Sequence, residues 1–235
     1  MTRAGLLWAG LGVGAIVAAA GLLLASGFWS PWAHRFVQGV DVSRHQGPID
    51  WRTLARGDIR FAYIKATEGG DYVDPLFAAH WRGAGEAGIA RGAYHFFTLC
   101  RSGALQAAHF IGVMPRDAEL PPAVDLEHMG PCRRGPTMTD IPREVDIYLD
   151  AVERATGRRP ILYTTRQFHD AHLTRIAGER FWVRSLFRWP QFRRRDWVIW
   201  QHHNKGARPG VQGPVDLNSF RGDAAAFAAF AGSAP

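Results

Sequence analysis

The sequence predicts an α/β chain: an irregular β/α barrel with fewer regular helices in its last third, preceded by one apolar N-terminal helix. Three observations predict it. Eight short β-type runs can be placed between residues 39 and 217, helical patterns separate the early ones, and polar or acidic side chains recur where run after run ends.

The runs fall at 39–42, 61–65, 90–97, 123–127, 161–163, 181–184, 198–201 and 215–217. Each is rich in β-branched or aromatic residues and bounded by turn formers. Helical patterns occupy 75–87, 103–113 and 142–155. The last is the clearest. Pro142 suits a first helical turn, Val145, Tyr148, Leu149 and Val152 form an apolar stripe at i, i+3, i+4, i+7, and Gly157 stands where the chain must stop. Later connections are short and rich in Pro, Arg and Gly, which predicts irregular structure there. No internal repeat is present.

At 235 residues, with 47% hydrophobic content, the chain has material for one large core and a short appendage. The appendage is residues 1–30, and the barrel is expected over 31–235. Residues 4–28 carry no charge and follow Arg3. That stretch is long enough to span a bilayer, so an inner-membrane anchor is expected, with a signal peptide cleaved near Ala25-Ser26-Gly27 as the alternative. Either way, the basic residue on the short side keeps the N-terminus cytoplasmic and sends the barrel outside, into the cell envelope. In an oxidising compartment Cys100 and Cys132 are expected to form a disulfide, two buried thiols being the alternative.

The formal charge of +7 arises from scattered basic residues, apart from Arg133-Arg134 and Arg193-Arg194-Arg195, and no nucleic-acid motif accompanies them. Neither nucleic acid nor a cofactor is expected. The ten histidines include no His-Glu-x-x-His pair, so no metal is expected, and Ser43 and Ser185 lack a nucleophile elbow. A monomer is expected.

The strand ends carry the chemistry. In an α/β barrel working residues gather at the C-terminal ends of strands. Here those ends carry Asp41; Lys65 with Glu68 behind; Tyr94 and His95; Asp125 and Glu127; Tyr163; Gln201; and Asp216 with Asn218. Asp125-Leu126-Glu127 is the sharpest signal. Side chains two apart on a strand share a face, roughly 6.5 to 7 Å apart at the backbone. Paired carboxyls suit acid-catalysed glycoside cleavage, where one is held protonated beside another that stays ionised. Together these ends describe an acidic cleft with aromatic walls, suited to a sugar polymer.

GVDVSRHQG at 39–47, FAYIKATEG at 61–69, RGAYHFF at 91–97, PAVDLEH at 122–128, PILYT at 160–164, VIWQ at 198–201 and VDLNSF at 215–220 resemble, in order, the motifs of glycoside hydrolase family 25, the Chalaropsis-type lysozymes. The resemblance implies a flattened β/α barrel and an N-acetylmuramidase cleaving the β-1,4 bond between N-acetylmuramic acid and N-acetylglucosamine in peptidoglycan. It implies Glu127 as general acid, with Asp41, Asp125 and Asp216 completing the acidic group. The expected chemistry is retention with substrate assistance, Asp125 orienting the 2-acetamido group, with Asp216 as a covalent nucleophile the second choice. Tyr94, Tyr163 and Trp200 are expected as a sugar platform, with Tyr63, Lys65, Glu68, His95, Gln201 and Asn218 as further substrate contacts. His95 and His128 are read as hydrogen-bond donors behind the carboxylates. The sequence departs from the family at His202-His203-Asn204 and after Trp182, at Val183-Arg184-Ser185. The remaining alternative is a tethered peptidoglycan-binding protein with little catalysis.

Overall fold

The computed structural model describes residues 36–128, 132, 140–186, 188–193 and 195–232, together with 16–18 and 21. Strands β1 (Val37–Val42), β2 (Ile59–Glu68), β4 (Ala90–Phe96), β5 (Ala123–Leu126), β6 (Ile161–Thr165), β7 (Phe181–Arg184), β8 (Trp197–Gly206) and β9 (Val215–Phe220) close on themselves, because β1 pairs with both β2 and β9. A short β3 (Tyr72–Val73) folds back on β2 as a hairpin at the mouth. The eight expected runs are these eight barrel strands. Regular βα crossovers stop after β7, and β9 lies antiparallel to both neighbours, which short connections permit and a helix-linked strand would not.

The helices follow their local signals. Gly103–Val113 has Ser102 as N-cap, and Ile141–Thr156 is capped by Asp140, whose carboxylate accepts from Arg143 N–H at 3.2 Å. Gly157 ends that helix in the left-handed region at φ 71°. Phe77–Glu86 lies within the expected 75–87. Besides the short helical segment Arg166–Phe168 with His169–Leu173 after it, two capped helices were not legible in the pattern: Trp51–Arg56, capped by Asp50, and Ala224–Ala231, capped by Asp223. The second is almost all Ala and Phe, so it carries no amphipathic period to detect.

Strand alternation divides the core in two. Phe61, Tyr63, Tyr94, Ile161, Tyr163, Trp182, Ile199 and Phe220 fill the barrel. Val40, Val42, Ala62, Ile64, Val124, Leu126, Leu162 and Val183 face outward against helical residues such as Phe110, Val145, Tyr148 and Val152. The floor is sealed by the last helix: Phe227 lies 5.5 Å from Phe61 and Phe230 lies 4.9 Å from Phe220, ring centre to ring centre. With the floor closed by apolar rings, the mouth at the strand C-termini is left for polar groups.

Cys100 and Cys132 form the expected disulfide, with α-carbons 5.7 Å apart. It ties the segment after β4 to the segment after β5. Among the described residues no helix is long and apolar enough to cross a membrane. The leader expected at 4–28 lies outside them, except for the helical residues 16–18 and 21.

Two glycines make room for the interior rings. A Cβ at Gly39 would overlap the Phe61 ring, and one at Gly92 would overlap Tyr63. Gly92→Ala should therefore cost about 1 to 3 kcal/mol by overpacking a closed interior. Gly112→Ala, in the helix Gly103–Val113 with open space around its Cβ, should be neutral or stabilising by up to about 1 kcal/mol. Denaturant unfolding of both variants checks this, and equal stabilities would refute the packing account.

Candidate active site

The mouth of the barrel holds a cleft of about 380 Å3. Asp41, Lys65, Tyr94, Asp125, Glu127, Tyr163, Gln201 and Asp216 line it, joined by Phe96, Trp182 and Arg184. The pairing of strands explains the convergence. Asp41 of β1 stands directly opposite Asp216 of β9, and Asp125 of β5 lies between Phe96 of β4 and Tyr163 of β6.

The four carboxyls differ in how they are held. Oδ2 of Asp41 accepts from Asn218 Nδ2 at 2.7 Å and from Gln201 Nε2 at 2.9 Å. Burial raises the Asp41 pKa, and these two donors and a hydrogen bond with Asp216 oppose the rise. Burial, reinforced by the charge of Asp41, pushes Asp216 up to about 9. At neutral pH Asp216 is therefore a protonated carboxyl hydrogen-bonded to Asp41, the partner whose ionised form the two amides favour. Asp125 is driven well above the ordinary carboxylate range by burial and then by Glu127, with Lys65 opposing. Its Oδ1 is shut off from solvent and has no hydrogen-bond partner among the described residues. Burial also raises Glu127, against the pull of Arg184, whose Nη1 lies 3.6 Å from Glu127 Oε2. One strand end thus carries two carboxyls that favour sharing a proton over ionising together.

The surrounding side chains hold this arrangement. Trp182 Nε1 donates to Asn218 Oδ1 at 2.8 Å, fixing the amide so that its nitrogen points at Asp41. Tyr163 donates to Gln201 Oε1 at 3.1 Å and does the same for the second amide. Lys65 lies 2.7 Å from Glu68 and 4.7 Å from the centre of the Phe96 ring.

Six of the expected residues do not line the cleft. Trp200 is buried on the outer face, its Nε1 donating to the Ser185 carbonyl at 2.8 Å and its ring against Trp189 and Trp197. With Gln201 facing inward, its strand neighbour must face outward. His95 is excluded by the same parity relative to Tyr94. It is fully buried between Thr67 at 2.7 Å and Gln106 at 3.2 Å, stacked on Tyr148, and burial pushes it down to about 3. It is a neutral core histidine rather than a donor to the carboxylates. Tyr63 faces inward but one layer too deep, its hydroxyl donating to the Pro121 carbonyl at 3.1 Å. His128 is exposed and packs on Phe168 and His172. Asn218 is wholly buried and reaches the cleft only through Asp41. Glu68 lines a neighbouring cavity.

Trp182 and Arg184 line the cleft without having been expected there, as do Phe96, His45 and Gln46. Trp182 and Arg184 share the inward face of β7, and alternation along 181–184 was the available signal. It was masked by the departure from the family pattern at that strand.

The family model for glycosyl hydrolases family 25 matches residues 40–211. The chain belongs to family 25. It is 35% identical over 202 residues to the uncharacterized protein YegX of Escherichia coli K12, covering 83% of this chain and 73% of that protein. Lysozyme M1 of Streptomyces globisporus is 35% identical over 214 residues, with 83% and 71% covered. A family 25 glycosyl hydrolase from Bacillus anthracis superposes with a TM-score of 0.78 at 34% identity, covering 84% of this chain and 94% of that one. The closed eight-strand barrel is the family 25 fold, and the chain is a glycoside hydrolase.

The Asp216 environment gives a pH prediction. A carboxyl held above its unfolded value binds its proton more tightly in the native state, so its stabilising contribution is complete below about pH 4 and is lost as pH rises towards the folded value of about 9. Asp216→Asn removes this titration while keeping a donor for Asp41. Between pH 5 and 8 its Tm should fall less than that of the wild type, leaving it the more stable protein at pH 8. Parallel Tm curves would contradict the assignment.

Proposed function

We propose that the protein is a muramidase that cleaves the β-1,4 bond after N-acetylmuramic acid in peptidoglycan, with Glu127 as acid and base and the substrate's acetamide as internal nucleophile. The observation that carries it is the pair of carboxyls at one strand end, Asp125 and Glu127, which both line the cleft and are both raised by burial. An acetamide N–H donated to the Asp125 carboxylate stabilises its ionised form and leaves the shared proton on Glu127. Glu127 then gives it to the leaving oxygen as the acetamide carbonyl closes on the anomeric carbon. In the second half Glu127, now a carboxylate, takes a proton from the water that opens the ring.

The remaining carboxyls support this division of labour. Asp216, pushed up to about 9, is protonated at working pH and a poor nucleophile, which disfavours a covalent aspartyl intermediate. Two amide donors favour the ionised form of Asp41, which would stabilise positive charge developing on the sugar. Tyr94, Tyr163 and Trp182 supply aromatic edges and faces for the ring. The intact acid cluster favours catalysis over mere binding. Glu127→Gln should fold and bind glycan but lose turnover by about a hundredfold or more. Reducing-end release near the wild-type rate would remove Glu127 from its role.

The substrate sets the place of action outside the cytoplasm, and the apolar residues 4–28 after Arg3 and the disulfide both favour it. We take the leader as an uncleaved anchor holding the barrel in the envelope. Full-length protein should fractionate with the inner membrane and be digested by protease added from the periplasmic side. A soluble species beginning near Phe28 would make the leader a cleaved signal instead.

A further inference from the structure

A second cavity, of about 410 Å3, opens beside the cleft, and His45 and Lys65 line both. Gly69 and Gly70 contribute small surfaces to it, and Cys100 brings its disulfide to the rim. Its charged lining residues are Arg44, Lys65, Glu68, Asp71 and Arg101. Lys65 and Glu68 satisfy one another at 2.7 Å. That leaves two guanidinium groups and one exposed carboxylate.

Neither Arg44 nor Arg101 has a carboxylate within ion-pair distance among the described residues, and both are exposed at the opening. Their backbones are nevertheless fixed. The Arg44 N–H donates to buried Asp74 at 3.0 Å and its guanidinium lies 5.8 Å from the centre of the Tyr72 ring. The Arg101 carbonyl accepts from fully buried Gln106 at 2.8 Å. Two cations are thus mounted on rigid supports around a hollow that adjoins the catalytic cleft.

A glycan strand stripped of its peptides keeps one carboxylate per muramic residue, on the lactyl group close to the sugar ring, and offers none further out. In peptidoglycan the anionic groups belong to the short peptide linked to the lactyl group of the muramic residue. Arginine is suited to bind such carboxylates bidentately. We propose that the second cavity receives the carboxylates of this peptide stem, with Arg44 and Arg101 as the clamp, so that the enzyme selects peptide-bearing over naked glycan. The proposal rests on the muramidase reading. It makes the two arginines specificity determinants and assigns them no part in bond cleavage.

Soluble, uncross-linked glycan strands, with stem peptides intact or removed by an amidase, test the clamp against Arg44→Gln/Arg101→Gln in the full chain. The wild type should show a KM about tenfold lower for the peptide-bearing strands, the order expected when an exposed charge-assisted contact is lost, and less of a difference at high salt. The double variant should raise that KM to the value for stripped strands while leaving kcat, and KM on stripped strands, unchanged. Arg44→Lys/Arg101→Lys should restore part of the preference. Equal KM values in the wild type, or a preference that survives in the double variant, would overturn the proposal. So would a variant impaired equally on both substrates, since that marks a structural role. If neither substrate yields new reducing ends, the muramidase reading itself fails.

Discussion

Four carboxyl groups crowd the mouth of a closed barrel, and the repulsion between them is the constraint that the rest of the site answers. Each ionised carboxylate there costs free energy through lost hydration and through its neighbours. The structure meets this cost in different ways around the ring. Burial raises Asp41, but two amide donors and a hydrogen bond with Asp216 converge on it and oppose the rise. Asp216 gives up its charge in that hydrogen bond. Asp125 and Glu127 are left with only Lys65 and Arg184 nearby, and hold a proton between them. The raised acids are thus products of burial first and of their neighbours' charge second, not of any single residue.

The scaffold makes the crowding possible. Phe227 and Phe230 seal the floor, Phe61, Tyr63 and Trp182 fill the layers above, and Gly39 and Gly92 yield the space those rings require. Trp182 links the two levels, since its ring packs 4.9 Å from Tyr63 while its N–H orients Asn218 towards Asp41. Hydrophobic filling and carboxylate orientation are therefore coupled through one indole.

How much was legible in the sequence depended on two kinds of information, parity and depth. Strand-end position and alternation brought Asp41, Asp125, Glu127 and Asp216 to one mouth from three strand ends, and all four line the cleft. The same rule, applied strictly, would have separated Tyr94 from His95 and Gln201 from Trp200, since adjacent strand residues cannot share a face. Tyr63 fails for the second reason. It has the correct parity with Lys65, but a strand pattern does not reveal which layer lies at the mouth and which is filled. The antiparallel placement of β9 and the Ala-Phe floor helix were also hidden, because neither leaves a periodic signal.

The account is tested most directly by identifying the sugar left at the reducing end after purified peptidoglycan is digested. Products reduced with borohydride and hydrolysed should yield muramitol, because the account places the acetamide of the muramic residue against Asp125 and Glu127. Glucosaminitol in its place, or no new reducing ends at all, would contradict it.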